Sequence, residues 1–357
     1  MPRQPACSTL KFQAPRNRPA KGLRKVDVLR AGTAKRGIVG CRTRTIIPYS
    51  LHTTARTSSA TLLVFNVERC VIQKMKQILV ATDFSKYAKI ALDRAVLLAI
   101  EHQATLEILH VITPASVDAL CDFLPDSRQV IEENLTNSAY SQLYDFADQV
   151  NSEQPVTIRP RVRIAEVETG IIEAAAACNA DLIVLGSHGE HFANELFVGT
   201  TAENILTRET RPVLIAKQKA DAPYGKIGVA VDLTERSVAM IRKADELAPN
   251  ATTCLLHAFQ APNHEHLRQL GASEDQIRRS RSEFYDHAVQ EISKLTAGRE
   301  DGRISRVVEL DYPPAMIRRW TEKLHFDLIV MGKHGGRLGS VVRHVLHNSV
   351  CDVMIVG

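Results

Sequence analysis

The strongest constraint on this chain is that it repeats itself. Ile78-Leu-Val-Ala-Thr-Asp83 is matched by Ile227-Gly-Val-Ala-Val-Asp232, 149 residues on. Leu109-His-Val111 is matched by Leu256-His-Ala258, 147 on. Asp181-Leu-Ile-Val-Leu-Gly-Ser-His-Gly189 is matched by Asp327-Leu-Ile-Val-Met-Gly-Lys-His-Gly335, 146 on. Three matches in one order at a nearly constant offset predict two homologous units. We place them at 75–217 and 225–357, joined by a linker over 218–224 that carries Pro223.

Each unit alternates strand and helix patterns. In the first, strand-like runs are Ile78–Thr82, Thr105–Val111, Val156–Ile164, Asp181–Gly186 and Val213–Lys217. Helical spacing predicts helices over Ser85–Glu101, Arg128–Val150 and Thr169–Cys178, with a fourth after Gly199. The second unit repeats the order, with strands at Lys226–Val231, Thr252–Ala258, Ile304–Leu310, Asp327–Gly332 and Asp352–Val356. Near-continuous apolar strands separated by helices predict an α/β fold. Each unit is then a five-stranded, Rossmann-like parallel sheet with helices on both faces. The last strands of the two units would be bare edges, and pairing one with the other closes them. The same edge also admits a homodimer.

Ligands of such sheets sit beyond the carboxyl ends of the strands, where the strand order reverses. There the first unit places Thr82, Asp83, Val111 and the turn Gly186-Ser-His-Gly189, followed by nine residues and Gly199-Thr200-Thr201. This is the chemistry of an anion site. Glycines let a ligand approach the backbone, a helix N-terminus offers free N–H groups and a favourable dipole, and the threonine hydroxyls add hydrogen bonds. Asp83 is placed for a ribose hydroxyl, and the Val111 backbone for an adenine edge. A purely structural reading stands beside this one, because Thr200 and Glu203 have capping-box spacing.

The pattern Gly-x2-Gly-x9-Gly-Thr, between an Asp-Leu-Ile-Val strand and the strand Pro212–Ile215, resembles the universal stress protein family. The opening Ile-Leu-Val-Ala-Thr-Asp-Phe-Ser and the Leu-His-Val also resemble it, and the likeness covers both repeats. The resemblance implies tandem sandwiches like those of adenine nucleotide alpha hydrolases, pairing through last strands, a cytoplasmic role in stress response, and in one subgroup binding of ATP. It carries nucleotide binding to Thr82, Asp83, Val111, Gly186, Gly189, Gly199, Thr200 and Thr201, with ATP or AMP as ligand and Mg only as the companion of ATP. Ala81 departs from the pattern, since ATP-binding members often carry Pro there. On this reading a nucleotide orders the loop 190–198 and so alters a surface met by an unidentified protein partner. The alternatives are a nucleotide-independent scaffold and an adenylating enzyme of the related superfamily.

The second unit has only three residues between Gly335 and Gly339, and Arg343 stands where Glu203 stands in the first. So short a turn cannot wrap a triphosphate. Lys333, Arg337 and Arg343 offer charge for an anion, against the reading of a degenerate unit kept for assembly. His188 and His334 occupy equivalent turn positions. Trp320 and Leu324 share a helix face that reads as core, and Arg278-Arg-Ser-Arg281 reads as a solvated face.

The chain lacks a Gly-x4-Gly-Lys-Ser/Thr loop, a Gly-x-Ser-x-Gly elbow and a Ser-Gly-Gly-type loop after the first strand, so no catalytic constellation is predicted. His264-Glu-His266 lacks further ligands nearby and predicts no metal. Seven cysteines without a CxxC pair fit a reducing compartment. No apolar run nears the roughly 18–20 residues of a membrane span. The net charge of +5 conceals a division: residues 1–74 hold 15 Lys and Arg against Asp27 and Glu68, whereas 75–357 hold 30 against 38 acidic residues. The basic character therefore belongs to the leader, which reads as a disordered arm, a transit peptide or, most simply, a stretch upstream of a start at Met75. Nucleic-acid binding by the repeats is not predicted.

Overall fold

The structure, a computed structural model, describes residues 74–153, 155–188, 198–259, 264–297, 302–334 and 336–357. The expectations for the leader, for the loop over 190–197 and for the side chains of His264 and His266 lie outside the described residues.

In the first repeat the order is β1 (Gln77–Thr82), α1 (Lys86–His102), β2 (Thr105–Ile112), α2 (Pro114–Phe123), α3 (Arg128–Glu153), β3 (Ile158–Ile164), α4 (Val167–Ala177), β4 (Leu182–Gly186), α5 (Thr200–Arg208) and β5 (Val213–Ala216). The second repeat contributes β6 (Lys226–Ala230), α6 (Glu235–Leu247), β7 (Thr252–Phe259), α7 (His264–Gln269), α8 (Glu274–Leu295), β8 (Ile304–Leu310), α9 (Pro313–Leu324), β9 (Leu328–Gly332), α10 (Ser340–Asn348) and β10 (Asp352–Val356). The predicted strands and helices are present to within a few residues at their ends, and α2 and α7 are two further helices that the sequence pattern did not predict. Boundaries are set by caps: Ser85 accepts from the Ala88 N–H at 3.2 Å to start α1, and Gln103 ends it in the left-handed region at φ 56°.

The ten strands form one sheet in the order β3-β2-β1-β4-β5-β10-β9-β6-β7-β8. Every neighbouring pair is parallel except β5 and β10, which meet antiparallel at Ile215–Val353, Leu214–Met354 and Val213–Ile355. The last strands thus pair within the chain. Alternation along each strand divides the core into two layers that both run across the seam. Ile78 and Val80 face α1 and, through the same layer, Met240 of α6 and Ile292 of α8. Leu79 faces the layer of Ile171 of α4, Ile205 of α5, Trp320 of α9 and Val345 of α10. Trp320 is buried and Leu324 packs beside it, as their shared face requires.

A polar node pins the seam. Asp352 opens β10 and is fully buried. Its carboxylate accepts from Arg94 Nε at 3.1 Å, Tyr224 O–H at 2.6 Å, the Lys217 N–H at 2.8 Å and the Gln218 N–H at 3.2 Å. Arg94, from α1, also donates to the Ala222 carbonyl at 2.8 Å and lies over the Tyr224 ring at 4.1 Å. One aspartate of the second repeat therefore ties together α1, the end of β5 and the linker.

Two lysines cross the seam in opposite senses. Lys217 donates to the Leu346 and Ser349 carbonyls at the end of α10. Lys333 donates to the Leu206 carbonyl at 2.8 Å and the Thr207 carbonyl at 3.2 Å at the end of α5, and to that of Glu209. Each cation satisfies terminal carbonyls and opposes the negative end of a helix dipole.

Burial pulls the Lys217 amine down to about 8, against the opposing charge of Asp352. An unfolded lysine keeps its proton to about pH 10.4. Between these values the unfolded chain binds the extra proton, so the unfolding free energy rises with pH. Wild-type stability relative to Lys217→Met is therefore expected to grow by on the order of 2 kcal/mol between pH 8 and 10. Denaturant melts of both proteins at the two pH values check this; parallel pH profiles would refute it.

Candidate functional site

The order β2-β1-β4 places the reversal of the first repeat between β1 and β4. A cleft of about 510 Å³ opens there, beyond the carboxyl ends of the strands. The structure brings Thr82, Asp83, Val111, Gly186, Gly199, Thr200 and Thr201 together around it. Gly189 lies outside the described residues.

The turn leaving β1 is tightly organised. Thr82 Oγ1 accepts from the Phe84 N–H at 3.0 Å, and Asp83 Oδ1 accepts from the Ser85 N–H at 3.0 Å. Phe84 is held at φ 63°, a conformation uncommon for a side chain of its size, and its ring packs at a tilt on His110, centroids 4.5 Å apart. The equivalent Leu233 has φ 62°. His110 Nδ1–H donates to the Thr82 carbonyl at 2.9 Å, and in the second repeat His257 does the same to Val231. A carbonyl only accepts, so the partner fixes the tautomer of both rings. The Leu-His dipeptide stood out as a repeated element, yet its histidine as the fastener between the ends of β1 and β2 was not foreseen.

The last β1–β2 pair is Thr82–His110, one residue before Val111. Past that pair β2 has no β1 neighbour and borders the cleft. Ile112, Leu135, Val167 and Ile171 continue this side as an apolar wall. Val111 itself presses on α4, where a Cβ on Gly170 would lie 3.1 Å from both its methyl carbons.

The opposite end of the cleft is polar. Gly199, not Thr200, is the N-cap of α5, with φ −63°, ψ 150° and no side-chain cap bond. The capping box predicted from Thr200 and Glu203 is therefore not formed. Thr200 is already the first helical residue, and Glu203 is engaged from outside the repeat by His347 at 2.7 Å. The N–H groups of a helix's first turn have no intrahelical acceptor, and here the first-turn residues Thr200, Thr201 and Ala202 line the cleft beside Ser187. The two described glycines differ in what they do. A Cβ on Gly186 would lie 2.9 Å from the Tyr87 backbone, so this glycine lets α1 pack on β4. Among the described residues a Cβ on Gly199 would meet nothing closer than the Ser187 carbonyl at 4.0 Å, and Gly199 lines the cleft. His188 is buried, bonds Ser187 Oγ at 2.9 Å and packs on Tyr87 at 4.7 Å.

In the corresponding corner of the second repeat the aspartate is engaged by its own neighbours. Asp232 Oδ1 accepts from the Thr234 N–H at 3.1 Å, Thr234 Oγ1 at 2.6 Å and Ser237 Oγ at 3.0 Å, and Oδ2 lies 3.3 Å from His334 Nε2. Burial acts to raise the Asp232 carboxyl, but these bonds and the nearby His334 outweigh it and hold it below its ordinary range. Lys333, whose charge was weighed for an anion against the reading of a unit kept for assembly, is buried across the seam at the end of α5. Its long stem reaches carbonyls that offset its charge, whereas Ser187 at the same position of the first repeat stays at the cleft.

Among the described residues no group of three or more His, Cys, Asp or Glu is arranged to hold a metal. Among the same residues no helix is long and apolar enough to cross a membrane.

The Universal stress protein family model matches residues 74–217 and again 223–357. Universal stress protein A homolog 1 of Coxiella burnetii is 32% identical over 146 residues, which is 40% of this chain and 97% of that protein. A universal stress protein of Bacillus subtilis is 30% identical over 146 residues, covering 40% and 98%. The crystal structure of a universal stress protein from Archaeoglobus fulgidus superposes with a TM-score of 0.58 over 78% of this chain and 97% of its own, at 17% identity. That likeness bears on the fold. With the family's unit present twice over nearly all of 74–357, the chain belongs to the universal stress protein family.

Proposed function

We propose that the first repeat is a binding module for an adenine nucleotide, ATP or AMP, acting in stress response. One observation carries the reading: a single cleft has an apolar slot at one end and, at the other, a helix N-terminus whose N-cap is a glycine without a side-chain bond. Those are the two surfaces that a flat base and an anionic tail require. The slot beside Val111, Ile112 and Leu135 suits the base, with the Val111 backbone at its edge. Asp83 borders the middle of the cleft, where a ribose hydroxyl would donate to it. Gly199, Thr200 and Thr201 face the phosphates, and the helix dipole favours their charge. On this reading the second repeat, whose Asp232 is engaged by Thr234, Ser237 and His334, has a supporting role. Its docking through β10, with α10 lying against the entry to α5, makes the pair one body.

Titration of the full chain with ATP by calorimetry tests the reading. Saturable binding, one nucleotide per chain, is expected; no heat at millimolar ATP would defeat it. Gly199→Val fills the approach to the N-terminus of α5 and is expected to weaken ATP at least about tenfold, equivalent to about 1.4 kcal/mol. Its own cost to the fold is the difference between Gly and Val as N-cap, about 1 kcal/mol. Gly186→Ala reverses the pattern. Its Cβ meets the α1 backbone at 2.9 Å, and overpacking there is expected to cost about 1–3 kcal/mol in a denaturant melt.

A further inference from the structure

The entry to α5 is held by the other repeat. The Val198 N–H, one residue before the N-cap glycine, donates to His347 Nδ1 at 3.1 Å. Nε2 of the same ring lies 2.7 Å from Glu203 Oε1 in the first turn of α5. Nδ1 accepts, so the proton sits on Nε2 and is donated to the carboxylate. His347 lies in the last turn of α10 and is mostly buried, with 21% of its side chain exposed. Lys333 holds the other end of α5. The helix whose N-terminus faces the cleft is therefore gripped at both ends by side chains of the second repeat.

The grip is one-sided. Gly339 corresponds to Gly199, and by that alignment Thr207 corresponds to His347 and Arg343 to Glu203. The Thr207 hydroxyl bonds its own helix, at the Glu203 carbonyl, 2.8 Å away. The complete cleft thus has a cross-seam clamp on its helix entry, and the shortened one has no counterpart from Thr207.

We propose that His347 is a positioning residue for the nucleotide cleft: it fixes Val198 and the first turn of α5 from across the seam, and so couples ligand binding in the first repeat to the docking of the second. This rests on the nucleotide reading above. The physical reason is that donors aimed at an anion are effective when already oriented. A backbone N–H one residue upstream of the N-cap and a carboxylate one turn downstream, tied to one rigid ring, orient the N–H groups of Thr200, Thr201 and Ala202 between them. The ring also keeps the Glu203 carboxylate directed at an N–H donor and away from incoming phosphates.

The test uses the full chain with His347→Ala and His347→Asn. Asparagine places a carbonyl oxygen near the position of Nδ1 and restores an acceptor for Val198. His347→Ala is expected to weaken ATP about tenfold in calorimetry and to speed amide exchange at Val198, with β5 and β10 amides unchanged. His347→Asn is expected to recover most of both effects, which loss of packing alone would not allow. Wild-type affinity and wild-type exchange at Val198 in the alanine variant would overturn this inference alone. Equal weakening by both variants would overturn it too, reducing His347 to a packing residue. No ATP binding by the wild-type chain would overturn the nucleotide reading first and this inference with it.

Discussion

The antiparallel contact between β5 and β10, with Asp352 at its root, is the constraint on which the rest of the molecule depends. A five-stranded parallel sheet of this kind has a bare edge at its last strand, and each repeat covers the edge of the other. Three paired positions of nearly uniform apolar residues would tolerate a slip in register. The Asp352 carboxylate removes that freedom. It has four donors, drawn from α1, the linker and the chain just past β5, and another register would bury it without them. A buried charge contributes little net stability when satisfied and costs about 3–5 kcal/mol when stripped of its partner. Its value here lies in specifying one arrangement.

Because the seam has one register, the elements flanking it meet in fixed pairs. Lys217 ends α10, Lys333 ends α5, and His347 reaches the start of α5. The first two meet equivalent carbonyls, at the ends of α10 and α5, from different positions of their repeats, and the third breaks the pseudo-symmetry outright. The asymmetry coincides with the loop lengths. The repeat with nine residues before its helix has its helix entry clamped, and the repeat with three has its aspartate occupied by Thr234, Ser237 and His334.

The sequence showed the architecture because periodicity and repetition are properties of the main chain and the core. The apolar runs at 78–82 and 182–186 must be buried on both faces, and the 3.6-residue pattern after Ser85 must cover them. The cleft was legible for the same reason: its place follows from strand order, and its residues stand at strand ends. What was not legible depends on partners distant in sequence. Glu203 has capping-box spacing, but its carboxylate goes to a histidine 144 residues away. Lys333 sits in a glycine turn, but its amine goes to another helix. Asp181 and Asp327 open the repeated Asp-Leu-Ile-Val strands and look like mere boundaries. Each accepts two backbone N–H groups at the start of the neighbouring first strand, at 2.7 and 3.0 Å for Asp181 and 2.8 Å twice for Asp327. Local spacing identifies a side chain's chemistry, and tertiary geometry chooses its partner.

Covalent linkage accounts for why such asymmetry is tolerated. Two separate units that pair through a shared edge must each keep that edge and find each other at their working concentration. Joined by the short 218–224 linker, the second docking becomes intramolecular, with an effective concentration on the order of millimolar for a short flexible connection. The linker is also held by Arg94 and Tyr224, which removes part of its freedom before docking. Once pairing no longer depends on two equivalent surfaces, substitutions that serve only one side of the seam are no longer copied onto the other. His347 against Thr207, and Lys333 against Ser187, are such substitutions. In an assembly of two identical chains any change at one position appears at both, and a clamp beside one aspartate could not accompany the engaged Asp232 in the other.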